Sequence, residues 1–163
     1  MRERPTARVV LLDLKDRILL MKGRLPSDPG APGAWFTIGG GIEPGESVHQ
    51  AAAREIVEET GFIDATLGPQ VWCGEILLSD EKGQPVLFKD SYVLARCAGG
   101  PVSRAGWQAI ERALIDDIRW WTLDELAACA DVVYPAGLAG LLRDLLADGP
   151  PTPPRVIRVL SQD

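Results

Sequence analysis

One histidine, three cysteines and no long apolar run set the first limits on this 163-residue chain. A lone histidine, His49, with no serine-centred motif gives no support for a Ser-His-Asp hydrolase triad, and it reads as an exposed residue. Cys73, Cys97 and Cys129 are scattered and fall in no CxxC pair, so neither a disulfide framework nor a zinc site is implied. They read as small buried hydrophobes. The longest apolar runs, among them residues 9–12, 18–21 and 126–130, are far too short to cross a bilayer as a helix. Basic residues are the minority, 17 Lys and Arg against 23 Asp and Glu, for a net charge of −6. That balance argues against broad binding to nucleic-acid polymers or acidic membranes. It leaves room for a phosphorylated small molecule, provided divalent cations bridge the phosphates to carboxylates. Residues 1–7 are short, charged and interrupted by Pro5, unlike a leader, so a cytoplasmic location is expected.

What is present suits one globular domain over residues 1–163, with 46% hydrophobic residues to build a core. Residues 8–12 and 17–21 flank a polar turn and read as a strand hairpin. Residues 23–34, with three prolines and three glycines, read as a loop. Residues 35–38 form a short strand leading into Gly39-Gly40-Gly41, whose backbone is free to turn tightly, and Pro44-Gly45 makes a second turn. Ser47 with Gln50 opens a helix through a capping box and Gly61 closes it. Residues 71–78 and 86–97 read as strands, and 118–121 as another, with a helix from about Thr122. Leu138, Leu141, Leu142, Leu145 and Leu146 recur at helical spacing. The tail, about residues 148–163, is proline-rich and extended, with 156–160 either an edge strand or unattached. Strands on both sides of a central helix, then further helices, indicate an α+β or mixed α/β fold.

The chemistry concentrates in residues 40–62, GGIEPGESVHQAAAREIVEETGF. Successive helical residues turn by about 100°, so Glu58 and Glu59 lie about 60° and 40° to either side of Glu55. Three carboxylates on one face near the negative end of a helix repel one another, a conflict that a bound divalent cation removes. All-oxygen ligation favours Mg2+, with Mn2+ as a substitute. A solvated acidic face is the ordinary alternative.

The spacing decides between them. Gly40, five residues, Glu46, seven residues, then Arg54-Glu55-Ile56 with Glu58, Glu59, Gly61 and Phe62 resembles the complete signature of the Nudix hydrolases. The WFTIGGG lead-in and the RWWTLDEL segment extend the resemblance, while Ile38 stands where many relatives have proline. It implies an α/β/α sandwich with a mixed central sheet and a loop-helix-loop signature, and MutT-like cleavage of a nucleoside diphosphate linked to another moiety. Nucleoside triphosphates (oxidised or noncanonical ones included), ADP-ribose and nucleotide sugars are all compatible substrates. It also implies metal ligation by Glu55, Glu58, Glu59 and the backbone near Gly40, with Arg54 orienting Glu55 or Glu58. Glu46 reads as mainly structural. An additional acid is expected from the loop before residue 118, with Glu111 first, Asp116 or Asp117 as alternatives, and Glu75 more distant. Arg24 is a candidate phosphate contact and Trp35 a candidate stacking platform. A homodimer is common in the family, though no residue here requires one. The alternative function is a noncatalytic Nudix module that binds a nucleotide or a protein, but such modules are expected to lose signature carboxylates. An isomerase on the same fold would need a divergent box.

Overall fold

The computed structural model of the protein describes residues 1–25 and 28–160. Pro26 and Ser27 of the expected loop, and residues 161–163 of the expected tail, lie outside the described residues. In chain order the elements are β1 (Arg2–Leu12), β2 (Ile18–Gly23), β3 (Ala34–Gly41), α1 (Val48–Thr60), β4 (Thr66–Ser79), β5 (Pro85–Arg96), α2 (Ala109–Leu114), β6 (Ile115–Trp121), α3 (Leu123–Ala127), β7 (Val133–Tyr134), α4 (Leu138–Asp148) and β8 (Arg155–Val156). The strands form a mixed sheet ordered β6-β2-β3-β1-β5-β4-β8, with β7 beside β3.

The continuous apolar runs are explained by a sheet covered on both faces. Successive side chains of a strand point to opposite faces. Val9 and Leu11 therefore pack with Ala51, Ala52 and Ile56 of α1, while Val10 and Leu12 pack with Leu126 of α3 and Leu138, Leu141, Leu142 and Leu145 of α4. This is the expected α/β/α sandwich. The adjacent Trp120 and Trp121 divide between the two faces in the same way.

Several local expectations need correction. The hairpin of residues 8–12 and 17–21 meets only at Leu12 and Ile18. Beyond that point β3 pairs with both strands, antiparallel to β1 and to β2. Strand β1 begins at Arg2, because residues 2–7 pair in parallel with β5, a partner some 84 positions away that no local pattern announces. The three glycines are extended strand rather than a turn, and only Gly39 has a positive φ, 139°. Their need is for close approach. A Cβ at Gly39 would collide with the Ala7 carbonyl, and one at Gly40 with the Glu55 carboxylate. The tail docks: Ile157 donates its N–H to Cys73 O at 2.8 Å, and Ile157 and Val159 are buried. The three cysteines are free, with Cys97 buried and the other two half-buried.

Candidate active site

Helix α1 is placed by the residues that predict its ends. Ser47 accepts from Gln50 N at 3.1 Å, the Gln50 side chain accepts from Ser47 N, and Gly61 closes the helix with φ 77°. A loop crosses the last turn. Trp107 donates its indole N–H to Glu59 O at 2.7 Å, and a Cβ at Gly106 would lie 2.6 Å from Glu58 O. Helix α1 is thereby pinned with its glutamates over the glycine strand.

A cleft of about 500 Å³ opens there, lined by Gly39–Gly41, Glu55, Glu58, Glu59 and Glu111 among others. A hollow of about 540 Å³ along β4, β5 and β8 includes Glu75 but none of the signature glutamates. Glu55 and Glu59 are buried, at 7% and 6% exposure, and Glu58 is half-buried. The Gly39 N–H donates to Glu59 Oε2 at 3.0 Å. Arg54 is the hub: it donates to Glu46 through Nε and Nη2 at 2.8 and 2.9 Å, to Glu55 at 3.0 Å, to Glu58 at 3.2 Å and to the Gly41 carbonyl at 3.0 Å. Arg54 thus touches both carboxylates expected of it, and Glu46 is its clamp.

The electrostatics follow. The Arg54 hydrogen bonds, then that from Glu43 N–H, hold Glu46 down at about 2. Burial raises Glu55, partly offset by Arg54. Burial, then the neighbouring Glu55, pushes Glu59 well above the ordinary carboxylate range, with Glu111 adding to the effect. Among the described residues no three His, Cys, Asp or Glu side chains are gathered closely enough to hold one ion, since Arg54 bonds Glu55 and Glu58 and Glu59 turns to Gly39. The donor set nevertheless fits a hard divalent cation: oxygen only, and two adjacent buried carboxylates whose mutual repulsion such an ion relieves. The missing Cβ of Gly40 leaves Glu55 its place.

The remaining expected residues divide. Glu111 lines the cleft while its side chain also accepts from Gln108 N at 3.0 Å, closing the capping box of α2. Asp116 is taken up by Arg24, and Asp117 bonds the next backbone N–H. Arg24 is not a free phosphate ligand: its guanidinium ties the loop together, reaching Pro29 O at 2.7 Å, Ala113 O at 3.0 Å and Asp116 at 3.0 Å. Trp35 is not a stacking platform: it is 4% exposed, its indole N–H bonds Asp131, and its ring meets Trp121 edge-on at 4.9 Å. His49 is exposed, with Nε2 2.8 Å from Gly68 O. Arg4, Phe36 and Gln108 line the cleft unanticipated. The QAIE box was the one sequence signal for Gln108.

A family model described as NUDIX domain matches residues 2–140. The chain is 33% identical to the NAD-capped RNA hydrolase NudC of Stutzerimonas stutzeri (strain A1501) over 74% of this chain and 37% of that protein. It is 40% identical to Nudix hydrolase 25 of Arabidopsis thaliana over 42% of this chain and 36% of that protein. The matched stretches thus span little more than a third of these curated relatives. Among solved structures, the crystal structure of a UDP-X diphosphatase aligns with TM-score 0.61 at 18% identity, covering 90% of this chain and 64% of that one. The solution structure of the E. coli ORF135 protein aligns with TM-score 0.57 at 24% identity, covering 90% and 91%. At these identities the solved structures show the fold alone.

Proposed function

The chain belongs to the Nudix family, and we propose that it is a pyrophosphohydrolase cleaving a nucleoside diphosphate linked to another moiety. The observation that carries this reading is the single cleft that Glu55, Glu58, Glu59 and Glu111 line together with the glycine strand. The reading takes residues 1–163 as a single Nudix domain. Mg2+, or Mn2+ in its place, would be held by Glu55, Glu58, Glu59 and the backbone near Gly40, supplying neutralisation of the diphosphate oxygens and a more acidic water.

The chain's own residues do the rest. Arg54, locked by Glu46 and Gly41 O, orients the carboxylates of Glu55 and Glu58 by charge-assisted hydrogen bonds. The Gly39 N–H fixes one oxygen of Glu59. Glu111, which lines the same cleft, accepts the proton of the attacking water. As the water oxygen bonds to phosphorus, the bridging P–O bond breaks, and two phosphorylated fragments leave. No helix of the described residues is long and apolar enough to cross a membrane.

Chromatography of products after incubation with magnesium or manganese tests the reading. The panel holds canonical and oxidised nucleoside triphosphates, ADP-ribose, nucleotide sugars and dinucleoside polyphosphates, with Glu59→Gln as control. Metal-dependent cleavage absent from the control is the expected result. Metal binding without cleavage of any compound would leave the noncatalytic module as the better reading.

A further inference from the structure

Strands β1 and β5 run parallel and in register, so that Arg4 lies beside Phe88, Thr6 beside Asp90 and Arg8 beside Tyr92. Alternate residues of a strand share a face, and these six line a second cavity of about 380 Å³, on the side of the sheet away from α1. Tyr134 adds to its aromatic walls, and Phe36, which packs on the α1 side, stands where the cavity meets the carboxylate cleft. Arg4, Phe36, Gly40 and Gly41 line this cavity and the carboxylate cleft alike, so the two adjoin along the glycine strand.

Inside this largely apolar hollow sits a carboxylate. Asp90 is 5% exposed, and one of its oxygens accepts from the Thr6 hydroxyl. Among the described residues its other oxygen has no hydrogen-bond donor and the group has no Lys or Arg ion-pair partner, and that oxygen is open to the cavity rather than sealed off. A carboxylate oxygen served only by water in a narrow hollow is a ready acceptor for a ligand that brings an N–H group. Aromatic walls add a demand for a flat ring. An occupant meeting both demands is a nucleobase carrying an exocyclic amino group, which presents a donor where its oxo counterpart presents an acceptor.

We propose that this cavity takes the base of the substrate and that Asp90 selects amino-bearing bases, such as adenine and cytosine, over their oxo counterparts, hypoxanthine and uracil. The proposal rests on the hydrolase reading above and names the substrate class within it. Only one free carboxylate oxygen is available, so the discrimination is made at a single exocyclic position.

Titration calorimetry of the full chain, with magnesium, against the 5′-diphosphates of adenosine, inosine, cytidine and uridine tests it. Each amino compound is expected to bind at least about tenfold more tightly than its oxo partner. Asp90→Asn, which places a donor beside the base, should bring both ratios near one or invert them. Equal affinities within each pair for the unaltered protein overturn the proposal whether or not the Asp90→Asn protein folds, as do ratios that Asp90→Asn leaves unchanged or the absence of binding by all four. The hydrolase reading fails separately, on the product panel, where metal-dependent cleavage without amino-over-oxo preference would sink only the role of Asp90.

Discussion

Helices α1 and α4 cover opposite faces of one sheet and are built on opposite principles. The face of α4 is leucine: Leu138, Leu141, Leu142 and Leu145 are buried against Val10, Leu12 and Leu20. Helix α1 buries only Ala51, Ala52, Ile56 and Thr60 besides its two carboxylates, Glu55 and Glu59. What α1 lacks in apolar area it makes up in polar ties: the Ser47 cap, the Arg54 hub, the Gly39 N–H to Glu59 and the Trp107 indole on its last turn. Burying like charges is unfavourable for folding, and it persists where function needs the charges concentrated. One helix serves stability; on the proposed function the other concentrates charge for a cation.

The sharpest way to break this contrast is to neutralise α1. Glu59→Gln keeps an acceptor for Gly39 N–H while removing a buried charge. Turnover should fall by about 10²-fold or more, with the thermal midpoint of the metal-free protein unchanged or raised. Steady-state kinetics beside a melting curve would show it, and near-normal turnover in the folded variant would remove Glu59 from the mechanism.

The mirror experiment is Leu142→Ala in α4, at a fully buried position. It should cost about 2–5 kcal/mol in denaturant unfolding while turnover per folded molecule stays unchanged. Glu46→Gln releases the clamp on Arg54 without touching the cleft glutamates. A drop of about 10–100-fold in activity, with more metal needed for half-maximal rate, is expected from a metal titration.

The pH response should differ between the two helices as well. Glu55 and Glu59 are raised above 4.5 in the folded protein, which therefore holds extra protons above that value. Stability of EDTA-treated protein should thus decline as pH rises above 4.5, and Glu59→Gln should flatten that decline. Glu46 works in the other direction. Its pKa is depressed from 4.5 to about 2, so its contribution is complete above 4.5 and fades as pH falls towards 2. Melting curves from acid to neutral pH check both, and the Leu142→Ala offset should stay the same across the range. The smallest effect is expected from Ser47→Ala, which removes one cap of α1 at a cost of about 1 kcal/mol by chemical denaturation.

The two helices were also unequally legible. Both ends of α1 could be read from Ser47, Gln50 and Gly61, because caps are local chemistry between residues a few positions apart. The apolar face of α4 could be read from leucine spacing. The misreadings share a cause. Arg24 and Trp35 have the right chemistry for a substrate, but Asp116 and Asp131, some 92 and 96 positions away, engage them instead. The glycine strand was misread as a turn because its neighbours, Ala7 and Glu55, arrive from other elements.

By itself the sequence determined the family signature, the convergence of Glu55, Glu58 and Glu59 on one helical face and the ends of that helix, and the α/β/α class followed from the resemblance that the signature carries. The convergence and the caps depend on residues a few positions apart, within a turn or so of one helix. Only the tertiary structure decided that Glu111 joins those glutamates, that Glu46 anchors Arg54, and that Thr6 and Asp90 stand side by side beneath aromatic walls. Glu46 and Arg54 are brought together by the chain's turn before the helix, Thr6 and Asp90 by parallel pairing across the sheet. Such pairings are set by how the whole core packs, which no local pattern of residues records.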